Sequence, residues 1–215
     1  MKSRPIMFST LMIQALPHKT NTRRTRGLEI VNKHPDMWNY LGGKQGIHIF
    51  EHKDIEDYRL EIKCPYGVKG DQLWCKETYG WVEHGEESDL IYKADGHFAN
   101  EQDISKEDRF KWKSAMFMFR WMSRHLLELV EEPIPQRLWD ITEADAIAEG
   151  APAGYIEASP TIFDRYSPDY KETPKDYRMG FSRLWDSINS KKHPWSGNFW
   201  DWKLVFKEIK NDDKV

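Results

Sequence analysis

"CPYGVKGDQLWCKETYGWV", residues 64–82, holds a loop and a strand in nineteen positions. Pro65, Gly67 and the pair Gly70-Asp71 are turn formers: proline presets its φ, glycine accepts positive φ, and aspartate bonds nearby backbone. Beyond them the period becomes two. Leu73, Cys75 and Glu77 fall on one face, and Trp74, Lys76 and Thr78 on the other. The stretch predicts a strand entered through a tight loop, with an acid on its apolar face.

Toward the N-terminus, "RPIMFS" reads as a first strand begun by Pro5. "TLMIQAL" follows as a short helix with Thr10 as N-cap, stopped by Pro17. "KTNTRRTRGLEIV" is rich in threonine and predicts an extended segment. Residues 32–63 read as a polar connection broken at "LGG", with "GIHIFE" as a hairpin arm. Toward the C-terminus, "DLIYKAD" is a short strand, and residues 96–114 are a polar surface loop. "FMFRWMSRHLLELVEEPIP" reads as a strand leading into a second one, closed by Pro133 and Pro135. "DITEADAIAEG" is a short helix with Thr142 as N-cap and Gly150 at C′. Residues 151–176 form a proline-rich irregular insertion. "DYRMGFSRLWDSIN" restores helical spacing through Phe181, Leu184, Trp185 and Ile188. "NFWDWKLVFKEI" closes the chain as a strand, with Trp200, Trp202, Leu204 and Phe206 on one face as core. Many short strands and few short helices predict an α+β fold, a small mixed β-barrel with helices at its mouth.

The chain has 215 residues, which suits a single domain with elaborations. Its mean hydropathy is low, −0.78, yet it carries 10 Trp, 9 Tyr and 10 Phe, too many rings for a disordered chain. A net charge of −3 argues against a sequence-blind nucleic-acid binder but leaves room for a local basic pocket. Cys64 and Cys75 form no CxxC pair, and two thiols are no disulfide scaffold. "MKSRPIMFST" has no signal-peptide pattern, and no apolar run approaches membrane-spanning length; a cytoplasmic protein without membrane contact is the expectation.

The chemistry starts at "HKTNTRR", residues 18–24. In an extended segment Thr20, Thr22 and Arg24 share a face, and a turn at Thr20-Asn21 brings Lys19 back toward Thr22. Lysine beside a threonine hydroxyl, with an arginine close by, suits an oxygen-rich ligand. From the pattern alone a solvated basic turn is the better reading. Glu149 ends a helix, where an acid gains nothing from the macrodipole. That placement suits acid/base work, although an exposed surface glutamate is the simpler reading. Glu77 is either a buried acid paired with an arginine or a rim residue. The eight histidines show no metal spacing, and no phosphate loop or nucleophile elbow is present, so neither metal nor cofactor is expected.

These pieces resemble ASCH domains of the PUA-like superfamily of small β-barrels. The signature lysine, threonine and arginine fall on Lys19, Thr22 and Arg24, with Pro17 where a small residue is usual. "GDQLW", "ITEADAIAEG" and "WKLVFKEI" follow in family order. The nearest resemblance is to long ASCH-like proteins of phages and prophages, which implies a host cytoplasm if the protein is phage-encoded. The resemblance implies one ASCH domain over residues 1–215, with insertions at about 32–63, 96–114 and 151–176. Small bacterial ASCH enzymes that deacetylate N4-acetylcytidine share the signature. By that resemblance Lys19, Thr22 and Glu149 form a catalytic set. Trp74, Tyr79 and Trp121 would stack a base, and Arg23, Arg24, Arg120, Arg124 and Glu77 would contact substrate. The expected partner is a nucleoside, single-stranded RNA or a modified base. The alternatives are a non-catalytic RNA-binding module and a phage accessory protein.

Overall fold

The computed structural model describes residues 1–84, 87–96, 111–152, 154–155 and 175–209. In chain order the elements are β1 (Ser3–Met7), α1 (Thr10–Ala15), β2 (Asn21–Arg24), β3 (Trp38–Lys44), β4 (Ile47–His52), β5 (Arg59–Lys63), β6 (Gln72–Lys76), β7 (Tyr79–His84) and β8 (Glu87–Tyr92). There follow β9 (Leu126–Leu129), β10 (Ile134–Arg137), α2 (Glu143–Ala148), β11 (Gly154–Tyr155), β12 (Lys175–Asp176), α3 (Tyr177–Asn189) and β13 (Trp200–Ile209). The fold is mixed α+β, mostly strands with a few short helices. No helix among the described residues is long and apolar enough to cross a membrane.

The chain divides into two compact units. One holds Met1–His18, Tyr66–Pro133 and Val205–Val215; the other holds Lys19–Pro65 and Ile134–Leu204. In the first, β1 runs parallel to β6, with Ser3 opposite Gln72 and Met7 opposite Lys76. β9 lies antiparallel to β6 and to the second half of β13. β7 and β8 form a separate hairpin. The Gly67–Asp71 turn holds the start of β1. Asp71 accepts from the Lys2 amide (2.7 Å) and from Arg4 (2.6 Å), and a Cβ on Gly67, at φ +108°, would collide with both Arg4 and Asp71. Leu73, Cys75 and Glu77 are buried as the alternation predicts.

In the second unit, β3, β4 and β5 form an antiparallel meander with a bulge between Tyr40 and Gly42. β10 and β2 pair with β13, β10 lying antiparallel to its first half. Asn32 clamps Trp200 in both directions, its amide donating to the carbonyl (2.9 Å) and its oxygen accepting from the backbone N–H (2.7 Å). α2 and α3 share a core of Leu138, Ile141, Ala146, Ala151, Phe181 and Trp185.

Several expectations change. The N-cap of α1 is Ser9, whose hydroxyl accepts from the Met12 amide, and not Thr10. Residues 38–63 carry three strands where a polar connection with one hairpin arm was expected. Residues 115–122 form two 3-10 turns, not a strand, because Met118 and Met122 turn into a core with Tyr79 while Phe117, Phe119 and Trp121 face out. Among the described residues no strand order closes on itself, so no closed barrel is present there: β3–β5 and β7–β8 join no other strand, and β7 adds only a single bridge from Tyr79 to Lys113. The expected loop at 96–114 and insertion at 151–176 lie mostly outside the described residues.

Candidate functional site

The site is built where β2 begins and α2 ends. The Thr20 amide donates to the Ala148 carbonyl (2.9 Å), tying the entry of β2 to the last turn of the helix. Lys19 therefore meets the C-terminal end of α2. Its ammonium donates to the Glu149 carbonyl (2.6 Å) and also to the Glu149 carboxylate at Oε2. One amine thus satisfies an otherwise open carbonyl at the helix end and pairs with an acid. Both residues are only 3% exposed. Burial pushes the Lys19 ammonium below the usual lysine range; Arg24 adds to the depression, and the hydrogen-bonded Glu149 opposes it. Glu149 Oε1 has no hydrogen-bond partner among the described residues. Thr22 is fully buried on β2, and its hydroxyl accepts from Arg24 Nη1 (2.7 Å). Arg24 also donates to the Arg23 carbonyl (2.8 Å), which fixes its guanidinium over the threonine. The hydroxyl proton of Thr22 remains for another acceptor.

Arg23 turns to different partners. It donates to Asp201 (2.9 Å), Gln136 (3.1 Å) and Asp145 (3.4 Å). Asp145 also binds Lys203 (2.7 Å) and accepts weakly from Asn21 (3.4 Å). Burial drives the Asp201 carboxyl up to about 7, against the pull of Arg23 and with further push from Glu149 and Asp140. Burial also pushes Asp145 up, but Lys203 and Arg23 outweigh it and hold that carboxyl below the usual range. Asp201, Asp145, Gln136 and Lys203 were not singled out from the sequence. Asp145 lies four residues before Glu149 and so shares its helix face. Asp201 lies between two tryptophans in a strand, where aspartate is depleted. Both signals were there to be read.

Six expected site residues lie in the other unit. Glu77 is buried and takes a two-pronged ion pair from Arg124, at 2.9 and 3.0 Å. Arg124 also donates to Asp95 (2.8 Å), and its guanidinium lies 4.1 Å from the Tyr92 ring centre. Glu77 is thus the buried, arginine-paired acid of the two sequence readings. Tyr79 is buried with Met118 and Met122, its hydroxyl donating to the Phe117 carbonyl (3.2 Å). Trp74 has Arg120 and Lys76 over its ring, and Trp121 is exposed beside Trp81. Lys19 and Glu149 form one buried pair, and the half-buried Arg24 bonds the buried Thr22; Tyr79 is core, and Arg124 faces carboxylates.

Among the described residues no group of three or more His, Cys, Asp or Glu side chains could hold a metal ion. The chain matches no protein-family model, no curated protein and no solved structure.

Proposed function

We propose that this protein has a PUA-like fold of the ASCH type and is an amidohydrolase that removes an acyl group from the exocyclic amine of a cytosine nucleoside. The observation that carries the reading is the buried Lys19–Glu149 pair, with one Glu149 oxygen open beside it. Such a pair holds one mobile proton. As neutral amine and neutral acid it supplies a base and an acid at once. Lys19 takes the Thr22 hydroxyl proton as the oxygen attacks the amide carbon. Glu149 gives its proton to the departing cytosine nitrogen as the carbon–nitrogen bond breaks. The acyl group is then on Thr22, and the pair is ammonium and carboxylate. Water attacks the ester, losing its proton to Glu149, while Lys19 returns a proton to the threonine oxygen. The pair ends as it began, and amide plus water has become acid plus amine. The guanidinium of Arg24 donates to the attacking Thr22 oxygen, which it would stabilise when that oxygen leaves the acyl group.

The complete burial of Thr22 favours a second reading, a module that holds a modified base without turning it over. One assay separates the two. N4-acetylcytidine is incubated with the wild type, Lys19→Met and Glu149→Gln, and cytidine release is followed by chromatography while binding is followed by calorimetry. The enzyme requires turnover that falls by about two to four orders of magnitude in Lys19→Met. Glu149→Gln should slow release and keep affinity. Binding without release supports the module, and neither binding nor release ends the nucleoside assignment.

A further inference from the structure

A second polar cluster adjoins the Lys19–Glu149 pair. Asn21 and Arg23 lie two apart on β2 and so share a face. Both reach Asp145 of α2 weakly, at 3.4 Å each. Arg23 also holds Asp201 of β13 at 2.9 Å, opposite Gln136 of β10. Glu149 follows Asp145 by one helical turn, and its charge is felt at Asp201. Asn21 is 4% exposed, Arg23 and Glu149 are 3% exposed, and Asp201 is fully buried. Yet Asn21 Oδ1, Arg23 Nε, Glu149 Oε1 and Asp201 Oδ2 have no hydrogen-bond partner among the described residues. A buried polar atom without a partner is costly, and native folds leave few of them. Buried water is the usual partner, and it needs two to four polar atoms around it. Here the Arg23 N–H donates, the Asn21 and Glu149 oxygens accept, and the Asp201 carboxyl does either, according to its proton.

We propose that buried water, held by Asn21 and Arg23, joins the open oxygens of Asp201 and Glu149, and that Asp201 is a positioning residue that keeps the mobile proton on the Lys19–Glu149 pair. Its part in catalysis rests on the amidohydrolase reading; the water and the coupling of the two acids do not. Two acids in one buried site cannot ionise independently, since the charge of one raises the proton affinity of the other. The groups that face Asp201 are Arg23 from β2, Gln136 from β10, Glu149 from the end of α2 and Asp140 from the turn before that helix. Arg23 is shared with Asp145, which also takes Lys203, so no cation is given to Asp201 alone. When Asp201 loses its proton, the new charge opposes loss of the proton that Lys19 and Glu149 share. The pair therefore keeps that proton to higher pH.

The test follows the carboxyl carbons of the full chain by NMR against pH, with Glu149→Gln assigning the Glu149 signal. In wild type the Glu149 carbon should show a step where Asp201 titrates, at about pH 7. The Arg23 Nε–H should also show an Overhauser cross-peak to water. Asp201→Asn should remove the step, and Asn21→Leu should remove the cross-peak. Circular dichroism reports whether the variants fold, and the two wild-type readouts decide the proposal if they do not. Cytidine release from N4-acetylcytidine, measured against pH, is the third readout. In Asp201→Asn its basic limb should move to lower pH by about one unit. An aspartate that is merely structural would lower the rate at every pH and leave the limb in place. A wild type with no water cross-peak or no step in the Glu149 carbon overturns the proposal, and so does a limb that stays. A wild type that releases no cytidine ends the amidohydrolase reading and Asp201's part in catalysis, while the two spectroscopic readouts still decide the water and the coupling.

Discussion

Asp201 is fully buried between two tryptophans of β13, with Arg23 on one oxygen and no hydrogen-bond partner among the described residues on the other. Its proton should be visible in stability. The folded carboxyl titrates near 7, while the unfolded one titrates near its ordinary 3.8. Between these values the folded chain holds a proton that the unfolded chain releases. The stabilisation is complete below the unfolded value and is lost as pH rises through the folded one. The wild-type melting temperature should therefore fall from pH 5 to pH 8, and Asp201→Asn should remove most of that slope. An unchanged slope in the variant would assign the proton elsewhere. Lys19 follows the reverse logic for a base. Burial disfavours its charge, so a neutral amine is available at lower pH than for a free lysine. Glu149 shows how a local reading misleads: helix chemistry alone makes it an ordinary surface acid, and a lysine 130 positions away makes it a buried one.

α2 is six residues long, too short to stand by propensity alone, and its two ends are set by side chains. Thr142 Oγ1 accepts from the Asp145 amide (3.0 Å), and Gly150 follows the helix at φ +74°. Lys19 closes the last turn by bonding the Glu149 carbonyl. Thr142→Ala should cost about 1 kcal/mol, the usual value of a hydroxyl N-cap. Because the same helix carries Asp145 and Glu149, the variant should also slow any amide hydrolysis while leaving Lys19 in place. Denaturant melts and cytidine release, measured on one preparation, check both halves; loss of stability with unchanged turnover would mean that the far end of the helix is held by Lys19 alone. β13 differs in being long, ten residues, and it contributes its first half to one unit and its second half to the other.

Stability rests on that strand. Trp200, Trp202, Leu204 and Phe206 are all buried. Trp202 packs edge-on to His48 at 4.8 Å between ring centres, and its indole N–H donates to the Arg26 carbonyl (3.0 Å). Trp202→Ala should cost about 3–5 kcal/mol, the range for truncating a buried aromatic. Calorimetry should show a large drop in melting temperature. A variant that loses ligand affinity but not melting temperature would make the ring a stacking surface. Two free cysteines, both buried, add no covalent constraint, so the burial of these strands carries the stability.

Features written in neighbouring residues were legible from the chain. The alternation of 72–77 and of 200–206 has period two, and the buried apolar positions follow it, with Asp201 the buried exception on the other face. The Thr142 cap and the Gly150 stop are hydrogen-bond chemistry within one turn of helix. The Lys19, Thr22 and Arg24 cluster was visible as a cluster, and the spacing within it needed no distant partner. Strand partners were not legible. Alternation tells which face of a strand is buried and says nothing about which strand lies beside it, so the meander of residues 38–63 was missed and a closed barrel was expected. The cap of α1 shifted by one position because Ser9 and Thr10 are both hydroxyls and only the backbone entering the helix selects between them. The charge pairs were hidden most deeply. Arg23 meets Asp201 across 178 positions of chain, and Lys19 meets Glu149 across 130. Their burial, and with it the proton chemistry of the site, exists only once β2, α2 and β13 are packed, because desolvation belongs to the assembled surroundings and not to the side chain.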